Sequence, residues 1–206
     1  GRTHRDFSGE IKVTGDIVDS FSLAPESSTP WGFGCIGFHT TTEYWVSAIT
    51  ALGAKDVKYN ADGEFTGVYY NLSWVDPSGF AGDMTYDGTY IWQVNVGGDN
   101  ALYQWDPHTG AVINVLSDPD GIWDGISQRG VGYDPALDLF YIGGWNDDII
   151  YEVKGLSWDN PGEIRRAWYS PVSGLAGISF DTQRRTVWCA TNSPNNTLLE
   201  FDPATN

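Results

Sequence analysis

The sequence predicts an all-β chain, a β-propeller of four blades with four antiparallel strands in each. Three observations predict it. The composition is that of strands and turns. One motif recurs every 47 or 48 residues. No long window carries the i, i+3, i+4, i+7 apolar spacing of an amphipathic helix.

The 206 residues include 25 Gly, 10 Pro, 10 Trp and 11 Tyr. Aromatic and β-branched residues suit a pleated, half-buried surface, while Gly and Pro punctuate turns. Hydrophobic residues make up 41% of the chain, enough to bury the core of one all-β domain of this length. The whole chain, 1–206, reads as a single propeller domain.

The repeat shows in two anchor sets. Phe38, Tyr86, Tyr133 and Phe180 are spaced 48, 47 and 47 residues apart. Tyr59, Trp105, Val153 and Phe201 are spaced 46, 48 and 48. Two independent sets with one period define units at about 31–78, 79–126, 127–173 and 174–206.

Within a unit the first strand is Gly-rich and apolar, as in Gly174 to Asp181. Small residues fit an innermost strand, where blades crowd at the channel. The second strand is aromatic and β-branched, as in Thr186-Val187-Trp188. The third alternates, as in Leu198 to Phe201. An Asp-Pro turn then leads to a fourth strand, Val112 to Leu116 or Arg166 to Tyr169. Pro presets φ in such a turn and Gly110 supplies positive φ. Asp87-Gly88 marks a hairpin between the first and second strands. One blade cannot bury both faces, so blades must stack around an axis.

The termini are out of phase with the repeat. The fourth unit ends in FDPATN, without an outer strand. The stretch around Ile17 resembles Val112 to Leu116 and precedes Phe38 by the same 21 residues that separate Val112 from Tyr133. An outer strand at 15–23 is therefore expected to close the ring beside Phe201. Gly9 to Thr14 could compete as a third strand, which leaves a larger propeller or a strand-exchanged assembly of copies as the alternative. A start at GRTHRDF, without Met or a signal-peptide pattern, reads as a mature product, a proteolytic piece or an excised domain.

Charge and cysteines bound the function. Twenty-seven acidic residues against 11 basic ones give a net charge of −16. Such a chain repels phosphate backbones, so nucleic acid is not an expected partner. No apolar run reaches 18 residues, so no membrane-spanning helix is expected. Cys35 and Cys189 fall in units one and four, which are neighbours in a closed ring, so a seam disulfide and two free thiols are both open.

Candidate sites are few. His4, His39 and His108 show no metal-ligand spacing and no nucleophile beside them, so no catalytic residue is assigned and the chain is not expected to be an enzyme. Carboxylates are richer: Asp62 with Glu64, Asp147 with Asp148, and above all Asp118, Asp120 and Asp124. Hard cations take several oxygen ligands, so that last group is the candidate for a structural calcium. Asp and Gly are also ordinary turn residues. Trp123 and Trp145, with Gly and Asp or Asn neighbours, are the candidate exposed aromatics for a protein or glycan partner. Sequons stand at Asn71 and Asn195.

The phrase GDMTYDGTYIWQVNVGGDNALYQWDPHTGAVI and its echo GISFDTQRRTVWCATNSPNNTLLEFDPATN resemble repeats of NHL- or YncE-like propellers in secreted bacterial proteases and surface proteins. The resemblance implies an extracellular or cell-surface binding or assembly module, with a protein, a glycan or other copies of itself as partner. Two alternatives remain, a calcium-dependent lactonase- or lyase-like enzyme and a sugar-binding lectin. First strands that read Gly, Ala, Cys, Ile and Met rather than Asp, Glu or His weigh against the enzyme.

Overall fold

Period-two alternation and turn residues every few positions produce a chain whose regular elements, among the described residues, are strands and one short turn of helix at Pro25–Ser27. The computed structural model describes residues 4–5, 11–12, 20–27, 29–37, 41–50, 53–76, 79–192 and 196–205. Two short strands, β1 (His4–Arg5) and β2 (Ile11–Lys12), pair with each other. Blade one is β3 (Pro30–Ile36), β4 (Glu43–Thr50), β5 (Gly53–Asn60) and β6 (Phe65–Asn71). Blade two is β7 (Phe80–Tyr86), β8 (Ile91–Val96), β9 (Leu102–Trp105) and β10 (Val112–Leu116). Blade three is β11 (Gln128–Asp134), β12 (Leu139–Gly144), β13 (Ile149–Lys154) and β14 (Ile164–Tyr169). Blade four has β15 (Leu175–Asp181), β16 (Thr186–Thr191) and β17 (Leu198–Phe201).

Each blade is an antiparallel meander in sequence order. The four blades form the predicted propeller, with β3, β7, β11 and β15 innermost. These strands approach so closely that side chains are excluded. A Cβ on Gly130 would stand 2.6 Å from the Ile178 nitrogen, and one on Gly132 2.9 Å from the Phe180 nitrogen. Hence the Gly-rich first strand of the repeat.

The Asp residues that follow the anchor aromatics hold the first hairpins. Asp87 Oδ1 accepts from the Thr89 and Tyr90 amides at 2.8 and 2.7 Å. Asp181 Oδ1 does the same for Gln183 and Arg184. Asp134 caps Ala136 and also pairs with Arg185 of the next blade. Part of the acidic composition is thus turn chemistry.

The core is a series of interfaces between blades. In β4, β8 and β12 one aromatic faces the following blade. Trp45 meets Trp105 edge-on at 5.1 Å, Trp92 meets Phe140 at 4.8 Å, and Tyr141 stacks on Phe180 at 5.4 Å. Their neighbours Ile91 and Phe140 face the preceding blade. Burying one such ring contributes about 2–3 kcal/mol.

A buried charge reinforces the junction of blades three and four. Glu152, wholly buried, accepts from Arg166 Nε and Nη2 at 3.0 and 2.7 Å and from the Tyr141 hydroxyl at 3.1 Å, and pairs with Arg165. Arg166 Nη1 continues to the Pro203 carbonyl at 2.7 Å. Glu152→Gln keeps the shape but loses the charge and one acceptor. It is expected to cost about 1–3 kcal/mol in urea denaturation, with the slope unchanged. No change in midpoint would mean the pair contributes nothing net.

The first inner strand runs Pro30–Ile36, and its anchor Phe38 lies outside the described residues. Of the expected outer strand 15–23, residues 15–19 with Ile17 also lie outside them. Residues 20–23 are not strand. Phe21 instead packs on Tyr44 and Tyr59 of blade one, 5.6 Å from each ring, and the Ala24 amide donates to the Tyr59 hydroxyl at 2.9 Å. Apolar contact with blade one accounts for the path of the described residues 20–24. Of Gly9 to Thr14, the described pair Ile11–Lys12 bonds to β1 and not to β17.

Candidate functional site

Three of the four possible junctions between inner strands are packed: β3 with β7, β7 with β11, and β11 with β15. No comparable packing joins β15 to β3. A cavity of about 500 Å³ lies there, reaching from the channel into the seam between blades four and one. Phe33 and Cys35 line it from blade one, Asp83 and Tyr86 from blade two, and Trp188 and Leu198 from blade four.

Alternation explains its apolar wall. Val187, Cys189 and Thr191 of β16 point to blade three and are buried. Trp188 and Ala190, between them, point to the seam and are not. Trp188 occupies the repeat position of Trp45, Trp92 and Tyr141, which are 0–2% exposed. Beside it Leu198 is 65% exposed, and across the gap Phe33 is 49% exposed. Among the described residues β17 pairs with β16 alone, whereas β5, β9 and β13 each have an outer strand.

One carboxylate reaches the channel, which the sequence reading missed. The ladder of β7 and β8 slips between Ala81 and Met84. A bulge re-aims side chains, and Asp83 turns inward. Its Oδ2 accepts from the Ile178 amide at 3.1 Å and the Val131 amide at 3.3 Å, so it clasps the inner strands of three blades. Burial pushes its carboxyl up to about 7, with the backbone donors opposing.

The predicted site residues fare differently. Trp123 is wholly buried, which corrects its reading as an exposed aromatic. Asp118 Oδ2 accepts from the Ile122 and Trp123 amides at 2.9 and 3.0 Å. This turn drives the indole into the core of blades two and three, where Nε1 donates to the Gly162 carbonyl at 2.8 Å. Asp118 Oδ1 accepts from the Asp120 amide, and Asp124 Oδ2 from the Asp118 amide. Loop closure therefore accounts for Asp118 and Asp124 without a cation, and Asp120 is exposed. Among the described residues no three His, Cys, Asp or Glu side chains gather as a metal site.

Of the two readings open for the cysteines, the structure has free thiols and not the seam disulfide. Cys35 is an exposed thiol and Cys189 a buried one. Cys189 faces blade three among Tyr141, Ile150 and Ile178, away from blade one, and burial pushes its thiol up to about 12. His108 sits exposed on its turn, while His39 and the side chain of His4 lie outside the described residues. Trp145 is half-buried with its ring 3.9 Å from the Arg129 guanidinium.

No protein-family model matches the chain, and no curated protein does. Solved structures share the fold. One is a structural-genomics protein of unknown function from Bacteroides thetaiotaomicron VPI-5482, 12% identical with a TM-score of 0.59. The match covers 91% of this chain and 45% of that one, so the chain spans less than half of its length. At this identity the likeness speaks for the fold alone.

Proposed function

We propose that the chain is a non-catalytic assembly module whose working surface is the seam of blade four. The observation that carries this reading is Trp188. An aromatic stands at the position facing the next blade in all four units, and in the fourth it faces an open cavity lined by Leu198 and Phe33. The partner is a second copy, because that face repeats a surface that the chain already packs against its own blades three times. The edge of β17, which no described strand covers, offers backbone groups for the same contact. An extracellular setting and NHL- or YncE-like character belong to this proposal and rest on the repeat phrases. A calcium at Asp118, Asp120 and Asp124 is not required by it.

Sedimentation of the purified chain tests it. The wild type should run at twice the mass of one chain or more. Trp188→Ser should run as one chain with an unchanged circular dichroism spectrum, since the ring is not fully buried within the subunit. A monomeric wild type at high concentration would overturn the assembly reading.

A further inference from the structure

The four inner strands share a second feature, at the opposite end from their hairpins. Each ladder slips once near its start: between Pro30 and Gly32, Ala81 and Met84, Gln128 and Gly130, and Leu175 and Gly177. Bulges project their extra residue out of the pleat. The residues so released are Trp31, Gly82 with Asp83, Arg129 and Ala176. Gly82, Arg129 and Ala176 follow one another at the repeat spacing of 47. Trp31, Gly82, Arg129 and Ala176 line one small cavity, of about 120 Å³, together with Val96 and Asn192. All four blades thus contribute an equivalent position to one mouth of the channel.

Arg129 is the one charge among these four cavity-lining positions, and its environment is unusual for this protein. The chain carries 27 carboxylates. Lys58, Lys154, Arg165, Arg166, Arg184 and Arg185 all pair with one. Arg129 has no carboxylate partner among the described residues. Its Nε is buried and meets no hydrogen-bond acceptor. Indole rings flank it instead, Trp145 at 3.9 Å and Trp31 at 5.5 Å from the guanidinium carbon to the ring centre. Trp31 is held by stacking on Phe80 at 4.5 Å and is 40% exposed.

The physics of this arrangement favours an anion. Aromatic contact at the guanidinium leaves its in-plane N–H edge for an acceptor. A buried donor without a partner costs about 1–3 kcal/mol. Burial also holds the Arg129 charge below its ordinary proton affinity, so an incoming anion relieves a charge the protein solvates poorly. The paired N–H groups of its two Nη atoms, which are not among the buried orphan atoms, match a planar carboxylate in bidentate fashion. The cavity has room for such a group but not for a whole sugar, and Trp31, partly exposed, lies at its rim for the remainder of the ligand.

We propose that this mouth of the propeller is a binding site for a carboxylate-bearing ligand, with Arg129 gripping the carboxylate and Trp31 and Trp145 flanking it. The site shares no lining residue with the seam cavity and goes beyond the assembly reading. It explains why this guanidinium sits between indole rings and not beside a carboxylate.

Calorimetric titration of the full chain tests it with four probes: acetate, D-glucuronate, D-glucose and inorganic phosphate. Glucuronate should bind with a dissociation constant of about a millimolar or tighter. Acetate should bind more weakly at the same site, shown by competition, and glucose should give no binding heat. Arg129→Lys keeps the charge but loses the fork and should weaken glucuronate by about tenfold or more. Trp145→Ala, should the lysine variant misfold, should weaken it as well, and Arg184→Gln on blade four should leave it unchanged. Equal binding of glucose and glucuronate, binding of inorganic phosphate alone, or no binding to the wild type would each overturn the proposal. If acetate binds as tightly as glucuronate, the carboxylate grip stands and the aromatic contact with the ligand body is overturned.

Discussion

Trp92→Ala should destabilise the protein by about 3–5 kcal/mol, the range for emptying a buried large aromatic site. For a chain of this size that is roughly 6–20 °C in melting temperature. The indole lies between blades two and three, 2% exposed, against Phe140. Its Nε1 also donates to Asp87 Oδ2 at 2.8 Å, which ties the core to the hairpin turn. Asp87 keeps its bond from Gln104 Nε2 at 2.7 Å, so the loss is chiefly one of packing.

The informative comparison is with Trp188→Ala, the same change at the equivalent position of blade four. Within one subunit that ring faces the seam and is only partly buried, so its removal should cost about 1–2 kcal/mol, clearly less than at Trp92. The gap between these two repeat-equivalent tryptophans would measure how much of the interface energy is supplied by a following blade. Thermal melts at low protein concentration read it without interference from assembly. Equal losses would mean that Trp188 is already covered within the subunit, and the seam would lose its claim to be a docking face. Because blades interact mainly with neighbours, the melts should be checked for a single transition before the energies are compared.

The repeat period made most of the fold legible. The 47-residue spacing of Tyr86, Tyr133 and Phe180 fixes three hairpins at once, and the Gly-rich first strands mark the crowded axis. Side-chain direction was harder to read. Trp123 has the Gly and Asp neighbours of an exposed loop, yet those residues build the turn that buries it. Cys189 falls in the blade beside blade one, yet the alternation of β16 points it the other way. The Arg129 site depends on bulges, which shift alternation by one residue and leave no compositional mark. Only the period hints at it, because Gly82, Arg129 and Ala176 are equivalent by spacing and one of them is charged.

Stability should fall as pH rises from about 4 to about 8, and Asp56→Asn should remove much of that slope. Asp56 is wholly buried between blades one and two. Its Oδ1 accepts from Gln93 Nε2 at 3.1 Å, while Oδ2 has no hydrogen-bond partner. Gln93 is itself committed, donating to the Gly82 carbonyl and accepting from Trp105 Nε1. Burial pushes the Asp56 carboxyl from its ordinary 3.8 up to about 7, against the weaker help of Gln93 and Ser47. The folded chain therefore holds a proton that the unfolded chain releases near pH 4. Between those values the native state binds more protons than the unfolded state, so raising pH favours unfolding. Above about 7 the full cost of an ionised, half-satisfied carboxylate is present. A shift of this size bounds the effect at about 4 kcal/mol. Asparagine resembles the neutral acid in shape and carries no charge. Asp56→Asn should match the wild type only below about pH 4, and should exceed it by about 1–3 kcal/mol near pH 8. Asp83 shifts in the same direction, but amides of neighbouring strands stabilise its charged form, so Asp83→Asn should flatten the profile less. Urea denaturation from pH 4 to pH 8.5 gives the slopes. An unaltered slope in Asp56→Asn would mean that water reaches this carboxylate and that blades one and two meet less tightly than their packing implies.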